Sequence, residues 1–174
     1  MHISDADENV VPYEIYPAAV GQKAILKAKR LTLAMRLCTG NLTSVADKLR
    51  YARLTAGIHQ DALAREVGID RITLLRYENG PRIAEENMET EWLVKIALAC
   101  GRDKYFCCSP YHIFIIEDAG RQIKQYRHEM GLTQKQLAVK LGVAVTTVKR
   151  WEQKKNKPPL YVWELVTGQK PIEV

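Results

Sequence analysis

Two stretches of the chain set apolar residues in the same register, 74 positions apart and without a gap. The first carries Leu63, Val67, Ile69, Leu74 and Tyr77, and the second Leu137, Leu141, Val143, Val148 and Trp151. In each copy two apolar residues four apart share one helical face. A glycine follows (Gly68, Gly142), and a second apolar pair three apart points back inward. The spacing predicts two short helices crossing steeply through a tight turn. Ala64 and Ala138 have to be small because the next helix crosses over them, and each glycine supplies the left-handed backbone that ends a helix. Thr133 caps the second copy, and Gln136, three residues on, completes a capping box. His59 stands in the place of Thr133 as a weak capping substitute. Asp70 caps the later helix of the first copy, where the second copy has Ala144. Between 49–80 and 123–154, nine of 32 positions are identical, most of them where the geometry demands it. The pattern is that of a duplicated fold unit.

Around these copies the organisation is helical. Residues 1–16 read as an acidic tail carrying Val10, Val11, Tyr13, Ile15 and Tyr16. Pro17 introduces an amphipathic helix to about Leu37, with Ile25, Ala28, Leu31 and Met35 at helical spacing among lysines and arginines. Its apolar side packs on the first copy, self-associates, or flanks DNA, in that order of preference. Thr39-Gly40-Asn41 is a boundary, and Thr43 or Ser44 caps the first helix of copy one. Asn79-Gly80-Pro81 ends the third helix, and 82–91 reads as a polar loop. Trp92, Leu93, Ile96, Ala97 and Cys100 form a fourth helix closed by Gly101. Residues 102–112 connect the copies, with Pro110 as a breaker. The apolar run 113–116 is a short strand or a plug leading into copy two; the plug is preferred because no partner strand is evident. Leu160, Val162, Trp163, Leu165 and Val166 make a short fourth helix in copy two. The expected division is 1–42 tail and extension, 43–105 first domain, 106–118 linker and 119–174 second domain.

Charge changes this picture by separating the copies. The net charge is +6, but residues 1–20 hold four acids and no lysine or arginine, whereas 121–174 hold eleven bases against four acids. The second copy is the strongly basic one, as phosphate contacts require. The cysteines (Cys38, Cys100, Cys107, Cys108) follow no zinc-ligand spacing and read as reduced, mostly buried thiols. No metal or cofactor is expected. No secretory leader, membrane-length apolar run, phosphate-binding loop or nucleophile arrangement is evident, so the expectation is a cytoplasmic, nucleoid-associated protein that is not an enzyme.

The stretches Tyr126-Arg-His-Glu-Met-Gly-Leu-Thr-Gln-Lys-Gln-Leu-Ala through Lys149-Arg-Trp-Glu152, and Ala52-Arg-Leu-Thr-Ala-Gly-Ile-His-Gln through Arg76-Tyr-Glu-Asn-Gly80, resemble the phage-repressor (Cro-like, XRE) helix-turn-helix family. The resemblance spans roughly 45–101 and 119–168. It implies an all-α fold, with two lambda-repressor-like bundles in tandem behind an N-terminal helical extension. It implies ion pairs Arg53–Glu78 and Arg127–Glu152 that clip helix 1 to the end of helix 3. The helix that the family has after the fourth is missing from copy two, so the 113–116 run or a partner chain has to cover that core face.

The same resemblance implies binding of double-stranded DNA, with the later helix of each copy in the major groove. In copy two, Val145, Thr146, Lys149 and Arg150 face base edges, Thr147 sits at the edge of that face, and Gln134 contacts the backbone, with Lys135 and Lys154 beside it. In copy one, the equivalents are Gln60, Arg71, Ile72, Thr73, Leu75 and Arg76. Outward Ile72 and Leu75 are odd for a groove reader, so copy two is expected to be the main anchor and copy one a weaker reader or a dimer or partner surface. The function expected is that of a sequence-specific regulator, a repressor. The competing reading is an antitoxin-like interaction protein, in which the tail or copy one binds another protein.

Overall fold

The computed structural model describes residues 42–79 and 84–169, together with Lys29, which is helical and exposed. The expected tail, most of the amphipathic extension and Cys38 lie outside the described residues. Within them the fold is all-α: nine α-helices, one short 3-10 turn and no strand. The first unit holds α1 (Val45–Ala56), α2 (Gln60–Val67), α3 (Arg71–Glu78), the 3-10 turn Glu85–Asn87 and α4 (Thr90–Ala99). A bridging helix, α5 (Pro110–Ile116), follows. The second unit holds α6 (Ala119–Glu129), α7 (Gln134–Leu141), α8 (Val145–Glu152) and α9 (Leu160–Thr167).

Each helix begins and ends for local reasons. Ser44 caps α1 by accepting from the Asp47 N–H at 3.1 Å. Asp118 caps α6 through the Arg121 N–H at 3.0 Å. Thr133 and Gln136 form the expected capping box on α7. His59 makes no side-chain capping bond, so the weak substitution expected of it is not seen. The described part of the expected 82–91 loop, from residue 84 on, tightens into the 3-10 turn and then enters α4, because Met88 is drawn into the first core and the Glu89 N–H donates to the Tyr77 hydroxyl at 2.9 Å.

Two cores result. The first gathers Val45, Leu49, Leu63, Leu74, Tyr77, Leu93 and Ile96, and the second Ile123, Leu137, Val148, Trp151, Val162 and Trp163. Leu141 and Val143, expected inside, are only partly buried and pack at the second core's margin. Helix α5 joins the two cores. Tyr111 and Phe114 belong to the second, while Ile113 and Ile116 pack on the first. The 113–116 run is therefore no strand but a helical plug between the cores that leads into α6, and Pro110 starts a helix rather than breaking one. It occupies the first turn of α5, where its missing N–H leaves no bond unmade. Tyr111 also supplies the cover that copy two lacked, meeting Trp163 edge-on with ring centroids 6.4 Å apart.

Polar contacts tie the units as well. The Tyr111 hydroxyl donates to the Pro158 carbonyl at 2.8 Å. The Lys157 ammonium donates to the Glu86 carbonyl at 2.8 Å, reaching from the second unit to the first.

Candidate nucleic-acid interface

The site starts from the turn between α7 and α8. Gly142 lies in the left-handed region with φ 65°, and its N–H closes the helix onto Ala138 and Val139 carbonyls. Val143 N–H then bonds the Ala138 carbonyl at 3.0 Å, which turns the chain sharply into α8. Val148 and Trp151 fasten α8 to the core. With those two inward, Val145, Thr146, Lys149 and Arg150 are all exposed along the opposite side, and Thr147 is half-buried at its edge. Lys135 is exposed on neighbouring α7. Ala144 offers no capping side chain, so the positive end of α8 is open to an outside acceptor.

The first unit repeats the geometry with different chemistry. Gly68 turns the chain at φ 82°, and Asp70 caps α3 by accepting from the Ile72 N–H at 2.9 Å. Arg71, Ile72, Leu75 and Arg76 are exposed, with Thr73 half-buried. Asp61 stands where the second unit has Lys135, and its carboxylate pairs with Arg71 at 2.9 Å. Glu66 likewise replaces Lys140. The charge of the two faces thus differs at the positions that would approach a phosphate.

Behind each face sits a buried clip. Arg53 pairs with Glu78 and Arg127 with Glu152, and all four side chains are 11% exposed or less. Sequence reasoning found these two pairs and missed a third partner. Gln60 Nε2 donates to Glu78 at 2.7 Å, and Gln134 Nε2 to Glu152 at 2.8 Å. The glutamine amides thus point at the carboxylates, anchoring the start of α2 and α7 to the end of α3 and α8. The signal was present, since Arg, Gln and Glu are three of the positions identical in both copies. Each arginine also reaches a turn carbonyl, Ile58 at 3.3 Å and Leu132 at 3.0 Å. Burial by itself would raise the Glu152 carboxyl. The hydrogen bonds from Arg127 and Gln134 outweigh it and hold the group below the usual carboxylate range.

Lys154 follows α8 and is held by Asp118 at 2.7 Å. Both residues have positive φ, 59° and 72°, and among the described residues they are the non-glycines that do. The Lys154 hydrogen bond, followed by the Arg121 N–H, holds the Asp118 carboxyl below its ordinary value.

The described cysteines lie in the first core. Cys100, Cys107 and Cys108 are all buried, as expected of most of the thiols. Burial pushes the Cys107 thiol up to about 12 and the other two to about 11, which keeps them protonated. Among the described residues no group of His, Cys, Asp and Glu is arranged to hold a metal, and no helix is long and apolar enough to cross a membrane.

Neither a curated protein nor a solved structure matches the chain. A family model described as "Helix-turn-helix" matches it twice, over residues 49–89 and 123–166. Each match contains one complete α2–α3 or α7–α8 crossing with its clip. The matched family is one of DNA-binding regulators rather than enzymes. The chain belongs to the XRE-type, phage-repressor-like helix-turn-helix family, with two such units in tandem.

Proposed function

We propose that this protein is a sequence-specific double-stranded DNA-binding repressor whose principal reading element is α8, lying in the major groove. One observation carries the reading: an exposed Val145-Thr146-Lys149-Arg150 face backed by a buried clip and surrounded by a surplus of bases. Arg150 has the fork geometry for guanine, and Val145 and the Thr146 methyl suit thymine. Lys135 and the uncapped α8 N-terminus serve the phosphates. Gln134 contributes through its backbone N–H, since its side-chain amide is engaged with Glu152. Lys154 joins them only by leaving Asp118.

The first unit is the weaker reader. Arg71 and Arg76 remain available there, with Thr73 and Gln60 behind them, but Asp61 and Glu66 repel phosphate and Ile72 and Leu75 offer no hydrogen bond to a base edge. A homodimer would read two half-sites about 34 Å apart or a multiple of that; a monomer would hold two sites through its tether. The antitoxin-like alternative, with the first unit on a protein partner, draws on the exposed Ile72 and Leu75.

The test is to select bound sequences from random DNA and then titrate the selected operator with Arg150→Ala and Arg76→Ala. Arg150→Ala should lose ~1–3 kcal/mol of discrimination at one base pair, and Arg76→Ala distinctly less. Equal losses would overturn the asymmetry, and no selection of any sequence would overturn the function.

A further inference from the structure

The outer face of α3 departs from a groove reader in one direction. At the positions where α8 shows Thr146 and Lys149, it shows Ile72, 56% exposed, and Leu75, 37% exposed. Arg71 and Arg76 flank these aliphatics, and Arg65 is exposed on adjacent α2. Among the described residues Arg71 is held by the exposed Asp61 pair, which another carboxylate can replace at little cost. Asp61, Glu66 and Asp70 are exposed beside them, so a partner for this face needs aliphatic anchors with carboxylates placed where they meet Arg71 and Arg76 and clear of those acids.

One segment of the chain has that chemistry. Residues 5–16 hold Asp5, Asp7, Glu8 and Glu14 interleaved with Val10, Val11, Tyr13, Ile15 and Tyr16, and 1–20 hold no lysine or arginine. Residues 17–41 separate them from the first unit. Twenty-five residues span ~25–30 Å as a coil and ~38 Å as a helix, about the diameter of a small domain or more. We propose that the acidic, aliphatic segment 5–16 docks on the α3 face of its own first unit, its carboxylates on Arg71 and Arg76 and its valines and isoleucine on Ile72 and Leu75. The proposal rests on the reading that the first unit is the weaker DNA contact, and it gives that face an occupant.

Methyl-labelled NMR of the full chain tests it. The Ile72 and Leu75 methyls should show short-range cross-peaks to the methyls of Val10, Val11 or Ile15. These should weaken at least fivefold in the Asp5→Asn, Asp7→Asn, Glu8→Gln, Glu14→Gln variant. Methyls with no contact beyond α2 and α3 would overturn the proposal. So would cross-peaks seen only between differently labelled chains, which would give the face to a second copy. Arg150→Ala measured alongside separates the two readings. If Arg150 dominates operator binding and the cross-peaks are absent, docking alone fails. If Ile72 and Leu75 shift on operator DNA as strongly as Val145 does, the unequal-reader reading fails with it.

Discussion

The buried Arg127–Glu152–Gln134 clip sets how a single residue responds to acid. In the unfolded chain Glu152 titrates at an ordinary carboxylate value, and in the fold it titrates lower. The folded state therefore gains stability that is complete above the unfolded value and is lost as pH falls through the folded one. Urea unfolding at pH 7 and pH 4 should show the second unit weakening in acid. Glu152→Gln should flatten that dependence. It should also lower stability at neutral pH, because the Arg127 side chain, 10% exposed, loses its charge partner. An unchanged acid response in the variant would remove the clip from this account.

At the scale of elements, the two copies share a motif and differ in how closely their helices approach. A Cβ placed on Gly120 would lie 2.7 Å from the Trp151 carbonyl oxygen, so α6 and α8 meet backbone to backbone at the end of α8. The equivalent position in the first unit is Ala46, buried with its methyl in place. Gly120→Ala should thus destabilise the second unit by ~1–3 kcal/mol through overpacking, despite alanine's better helix propensity, as read by thermal melting. The helix-turn-helix crossings were legible because their signals are local: apolar spacing, a capping threonine or aspartate, a turn glycine. Helix α5 was not, because its apolar residues face two cores and so show no single stripe. The glutamine–glutamate bond was missed for a related reason. It joins residues eighteen apart, and glutamine at a helix start has an equally good reading as a surface contact.

At the scale of the molecule, α5 makes the units mechanically dependent. Phe114 is buried in the second core, while Ile113 and Ile116, on the same two turns, pack on the first. Phe114→Ala should cost ~3–5 kcal/mol in the second unit. It should also speed hydrogen exchange in α4, which packs on α5. Exchange by mass spectrometry decides this: acceleration confined to α6–α9 would mean that the units respond separately.

The pairing of Lys154 with Asp118 bears on how the protein's grip responds to salt. A lysine that trades one carboxylate for one phosphate leaves an anion behind and adds almost nothing to the ions set free from the duplex. Removing it as Lys154→Ala should leave the slope of log affinity against log salt nearly unchanged, whereas Lys135→Ala should make it shallower by about 0.9. Of two lysines at the rim of the same helix pair, one would register in an ionic-strength series and the other would be almost silent.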